Sequence, residues 1–170
     1  MAQSLPFQIE DEAGTPLFMR IAHAIIRDIE RGRLRAVANS PAALKSMWGA
    51  FGALGEGRIG PKLGEQIAVA IADCNACQYC LSAHTALGRK AGATADEMTE
   101  AQAGRVTDPR MAAALTFALK VVENRAKVSG EEVEALRKAG LDDGEIVEIL
   151  AHVALDVPLD FPAVQLRKVA

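Results

Sequence analysis

Residues 64–92 read GEQIAVAIADCNACQYCLSAHTALGRKAG, and the change of character inside this stretch decides the fold. Its first half, around IAVAIA, is apolar on nearly every side and rich in alanine. That pattern suits a helix surrounded by other helices better than a strand, which would favour β-branched and aromatic residues. Its second half, from Cys77 onward, mixes polar and apolar positions and stops at Gly92, as an amphipathic helix with a glycine C-terminus does. The two halves predict one helix near 61–73 and another over about 76–91, with Asn75 as the expected cap between them.

The flanking sequence carries the same signs. Capping residues followed by proline mark helix starts at Thr15-Pro16, Ser40-Pro41 and Asp108-Pro109. After the first, Leu17, Ile21, Ile25 and Ile29 form one apolar stripe; after the second, Leu44, Met47, Trp48 and Phe51 share a face. Thr94, with Asp96 and Glu97 in its first turn, starts a short helix. RMAAALTFALKVVENRA is a long amphipathic one. Ser129 with Glu132 is a capping box for the next, which ends at Gly140, and a last helix is expected from about Asp143 to Asp156, stopped by Pro158. No stretch alternates with period two. The expectation is an all-α protein of about eight helices, with a loose arm over residues 1–14 and one helical domain over 15–170.

Composition agrees and narrows the function. The chain has 170 residues, 50% hydrophobic and 4% aromatic, enough apolar content for a real core. Nineteen Lys and Arg against 22 Asp and Glu leave a net charge of -3 without a basic patch, which argues against nucleic acid as a partner. Even Arg27–Arg35 is interleaved with Asp28 and Glu30. No segment approaches the roughly 18 uninterrupted apolar residues of a membrane span, and the first residues lack a signal-peptide pattern, so a cytoplasmic protein is expected.

The chemistry concentrates in three cysteines within seven positions, Cys74, Cys77 and Cys80. In a reducing compartment such clustering points to metal or redox chemistry. Cys77 and Cys80, at i and i+3 of a helix start, place their Cα atoms about 5 to 6 Å apart, inside the disulfide window. The helix N-terminus favours thiolate, and His84 lies one turn beyond Cys80 on the same face, where it can take or return a proton. The first argument favours Cys77 as nucleophile and the second Cys80, so the residues alone leave the ranking open. Glu65 sits on the preceding helix above Ala68, Val69 and Ala72, a face that would desolvate its carboxylate and suit it to proton transfer; the rival reading pairs it in water with Lys62 or Arg58. Zinc is disfavoured, because on one straight helix Cys74 and His84 would be about 15 Å apart along the axis, and no metal or cofactor is expected. Cys74 is read as packing at a helix end, His23 and His152 as core or interface histidines, and Trp48 and Phe51 as core.

At these residues the sequence resembles the alkylhydroperoxidase D-like group of the carboxymuconolactone decarboxylase superfamily. Its redox signature is a Glu, eleven residues, then Cys-x2-Cys-x3-His, matched here by Glu65, Cys77, Cys80 and His84 at every spacing. The Ser40-Pro41 helix, Gly92, Gly140 and Asp160-Phe161-Pro162 also look like the peroxidase-related branch, over about residues 15–162. Where some members carry a His before the second cysteine, this chain has Tyr79, and the last helix lacks an expected Asn near its end. The resemblance implies an all-helical domain that assembles into trimers or hexamers and works as a thiol peroxidase on organic hydroperoxides or hydrogen peroxide. Cys80 would be the peroxidatic thiol, deprotonated through His84 and Glu65, and Cys77 the resolving thiol. A dithiol reductant, thioredoxin-like or lipoyl-bearing, would restore the pair. Two other readings are carried: non-redox lactone decarboxylation, which needs no paired cysteines, and a redox-sensing interaction domain that oxidises without turning over.

Overall fold

The structure is a computed structural model that describes residues 40–159. The expected N-terminal arm, the helix after Pro16 with His23, and the Asp160-Phe161-Pro162 segment lie outside the described residues. The described residues from Gly49 onward belong to one compact unit, which holds every feature of the site described below.

The fold is all-α. Among the described residues there are seven helices and no strand: α1 Pro41–Gly55, α2 Gly60–Cys74, α3 Gln78–Lys90, α4 Ala95–Gln102, α5 Pro109–Glu123, α6 Gly130–Lys138 and α7 Asp143–Leu159. Helix starts follow the capping signals. The Ser40 hydroxyl accepts from Ala43 N–H at 3.2 Å, and Asp108 from Met111 N–H at 2.9 Å ahead of Pro109. Thr94 with Glu97 and Ser129 with Glu132 both form reciprocal capping boxes. A further one, not anticipated, opens α7: Glu145 N–H donates to Asp142, and Asp142 N–H donates back to Glu145, each at 3.0 Å.

Helix α2 is the hub, packing against α3, α4, α5 and α7. Leu63, Ile67, Ala68, Val69, Ala70, Ile71 and Ala72 are all buried, which explains why this helix is apolar around its whole circumference. Ile67 and Ile71 meet Leu115, Phe117 and Ala118 of α5 and Ile146, Ile149 and Val153 of α7 in one core. Each large side chain so buried contributes about 1.5–3 kcal/mol. Trp48 and Phe51, expected in a core, are only half-buried.

Two boundaries differ from expectation. The last helix runs on through Pro158 to Leu159, because a proline in the final turn removes one backbone donor there without unwinding the turns before it. Helix α3 begins at Gln78 behind Cys77, and Asn75 is the C-cap of α2.

The start of α7 also sets an acid limit on stability. Asp142 is held below its ordinary pKa by the Glu145 N–H and by Arg58, and Glu145 is held low by the Asp142 N–H and by Arg110. Lowered folded-state values contribute stability that is present above the unfolded values and lost as pH falls through the folded ones. The thermal midpoint is therefore expected to drop as pH goes from 5 to 3, and less so in Asp142→Asn. An Asp142→Asn midpoint that falls as steeply as wild type would contradict this.

Candidate active site

The site grows out of the three-residue link, Asn75 to Cys77, between α2 and α3. Helices α2 to α6 all end in the same way, with a left-handed residue after the C-cap and two backward hydrogen bonds. At Gly92, Gly104 and Gly140 that residue is glycine, whereas α2 uses Ala76 at φ 52°. Ala76 N–H bonds Asp73 C=O at 3.0 Å and Cys77 N–H bonds Ala72 C=O at 2.9 Å. The residue that closes α2 is thus Cys77, which at once becomes the N-cap of α3, its Sγ accepting from Cys80 N–H at 3.3 Å. A non-glycine residue in this conformation costs about 1–2 kcal/mol, so Ala76→Gly is expected to stabilise the protein by about 1 kcal/mol, read by chemical denaturation. A loss of stability would show that the Ala76 methyl is needed for packing.

Cys77 and Cys80 lie at disulfide-bonding distance, with Cα atoms 5.3 Å apart. They are 2% and 6% exposed and form a small apolar cluster with Ala72, flanked by Tyr79 and Leu81. Tyr79 therefore packs beside the pair. Cys74 is exposed at the end of α2, where packing had been expected.

His84 lies on the same helix as Cys80, and its Nδ1 is 2.8 Å from Glu65 Oε2 on α2. The two side chains are 13% and 24% exposed, so the pair is largely withdrawn from water. Both cations that spacing offered to Glu65 are engaged elsewhere, Lys62 with Glu97 at 2.7 Å and Arg58 with Asp142. Gly88, one turn beyond His84, lets α3 approach α2 here. A Cβ on it would overlap the Met98 side chain and stand 3.3 Å from Glu65 Cβ. With Glu65 as carboxylate, Nδ1 donates, which leaves Nε2 as the basic nitrogen of a neutral imidazole. All four residues singled out by spacing thus lie on α2, on α3 or at the link between them. Among the described residues, no three His, Cys, Asp or Glu side chains gather to hold a metal ion, and no helix is long and apolar enough to cross a membrane.

The model of the Carboxymuconolactone decarboxylase family matches residues 41–124, which include the whole constellation. Over these residues the chain is similar to the alkylhydroperoxidase and carboxymuconolactone decarboxylase superfamily. Two solved structures share the fold. An uncharacterized peroxidase-related protein from Silicibacter sp. TM1040 is 23% identical, with a TM-score of 0.70 over 88% of this chain and 82% of the other. The alkylhydroperoxidase AhpD core of an uncharacterized peroxidase-related protein from Ralstonia eutropha JMP134 is 25% identical, with a TM-score of 0.67 over 87% and 85%. No curated protein matches the chain.

His152 escaped the sequence reading as a neighbour of this site. It was expected in a core or interface, yet its half-buried ring rests on Gly64, the residue before Glu65. The available signal was Gly64 itself, since a glycine inside an otherwise strong helix pattern marks a close approach.

Proposed function

We propose that the protein is a thiol-dependent peroxidase acting on an organic hydroperoxide or hydrogen peroxide. The observation that carries this reading is the Glu65–His84 hydrogen bond on the helix that bears a bonding-distance Cys77–Cys80 pair. In the reduced protein, Cys80 gives its proton to His84 Nε2, and the resulting imidazolium is stabilised by Glu65. The Cys80 thiolate attacks the outer peroxide oxygen; an S–O bond forms, the O–O bond breaks, and the departing alkoxide takes the proton back as alcohol. Cys77 then attacks the Cys80 sulfenic acid, forming the disulfide and releasing water.

An outside dithiol, thioredoxin-like or lipoyl-bearing, supplies the two electrons that reopen the pair. The reading also carries a homo-oligomer, trimer or hexamer, to be weighed by light scattering. It is tested by steady-state loss of an organic hydroperoxide in the presence of a small dithiol. Turnover is expected, and its absence with fully reduced protein would overturn the reading.

The family's description favours a second reading, decarboxylation of a lactone. That chemistry has no use for a thiol pair, so lactone turnover surviving Cys77→Ser with Cys80→Ser would select it.

A further inference from the structure

His152 on α7 is a histidine that the proposed cycle leaves unused. Its ring occupies the space where Gly64 lacks a side chain: a Cβ there would stand 2.8 Å from Cε1, 3.3 Å from Nε2 and 3.4 Å from Nδ1. Glycine within a helix costs about 1 kcal/mol relative to alanine, and at Gly64 that cost allows the imidazole to seat directly on the backbone that presents Glu65. The ring's Nε2 is sealed from solvent and has no hydrogen-bonding partner among the described residues. A polar atom in that state is uncommon enough to require a reason.

The titratable groups around it are Glu65 from α2, His84 from α3 and Glu148 on its own helix, with buried Asp156 one turn further along α7. On the side of α5, Arg110 is engaged with Glu145. Burial holds His152 below the usual imidazole range; Glu65 and Glu148 pull it up, and His84 pushes it down. Burial thus favours its uncharged form, a dipole beside the hydrogen-bonded Glu65–His84 pair. A hydrocarbon in the same place would penalise the charged form of Glu65.

We propose that His152 is a positioning residue of the site: its neutral imidazole, seated in the gap left by Gly64, forms the polar wall beside Glu65 and confines the exchangeable proton to the Glu65–His84 pair. This rests on the preceding reading only in taking that pair as the base for Cys80.

The test is the pH dependence of alkylation of Cys80 by iodoacetamide in the fully reduced protein, followed by peptide mass. His152→Phe is expected to move the acid limb upward by about half a pH unit or more, a roughly threefold loss of Cys80 reactivity at pH 6.5. Gly64→Ala, which displaces the ring without removing it, is expected to shift the limb in the same direction. His152→Gln, polar but without a titration, is expected to restore the wild-type profile. A His152→Phe profile that superimposes on wild type would overturn the proposal. So would a His152→Gln shift as large as that of Phe, because the imidazole's own titration would then be the active element. Failure of wild-type protein to consume hydroperoxide would overturn the peroxidase reading instead, since alkylation needs no peroxide.

Discussion

Cys80→Ser is expected to lower hydroperoxide consumption by on the order of 10³-fold or more, because a hydroxyl at that position is not ionised by an imidazole at neutral pH and the thiolate is the nucleophile. The fold should survive, since the change removes little volume from a small satellite cluster of Ala72, Cys77 and Cys80 rather than from the main core. Cys77→Ser should differ in kind. The first equivalent of peroxide is still consumed, and Cys80 accumulates as sulfenic acid, trappable by a dimedone reagent and detected by mass. Were the two variants interchanged in behaviour, Cys77 would be the attacking sulfur, as its N-cap position alone would suggest.

The second large effect is expected at Glu65. Glu65→Gln keeps an oxygen that can accept from His84 Nδ1, so the 2.8 Å contact and the α2–α3 packing can persist while the charge is lost. Without the carboxylate the imidazolium is not stabilised, and the rate constant for peroxide reduction should fall by about 10²-fold or more, within the usual range for general acid–base groups. Measured by stopped-flow on pre-reduced protein, the loss should be nearly independent of which hydroperoxide is used. A loss seen with bulky hydroperoxides and absent with hydrogen peroxide would instead make Glu65 a substrate-contact residue.

Much of this site was legible because it is built from local periods. Glu65, Cys77, Cys80 and His84 lie on consecutive helices, and helical spacing alone places Cys80 and His84 one turn apart. The capping residues Thr94, Asp108 and Ser129 declare themselves by type, and the structure uses each of them. The junction between α2 and α3 was less readable. The left-handed position that ends α2 is Ala76 rather than glycine, so nothing in its identity marks the turn, and the cap was assigned to Asn75 instead of Cys77. Glu65's partner was undecidable from spacing, because Arg58 and Lys62 are as near in sequence as helical neighbours need be. Asp142 and Glu97, 84 and 35 residues away from them, occupy both cations. His152 is farther still in sequence, and a contact made through an absent side chain leaves only the glycine as its trace.

The central claim, a Cys77–Cys80 cycle driven by peroxide, is tested most directly by a single-turnover balance on fully reduced protein. One equivalent of an organic hydroperoxide is added without any reductant, and thiols, disulfide and alcohol are counted together. One alcohol formed for every two thiols lost, both mapped to a Cys77–Cys80 disulfide by peptide mass, is the predicted result. Unchanged hydroperoxide with both thiols still free, or alcohol formed while Cys77 and Cys80 remain reduced, would contradict it.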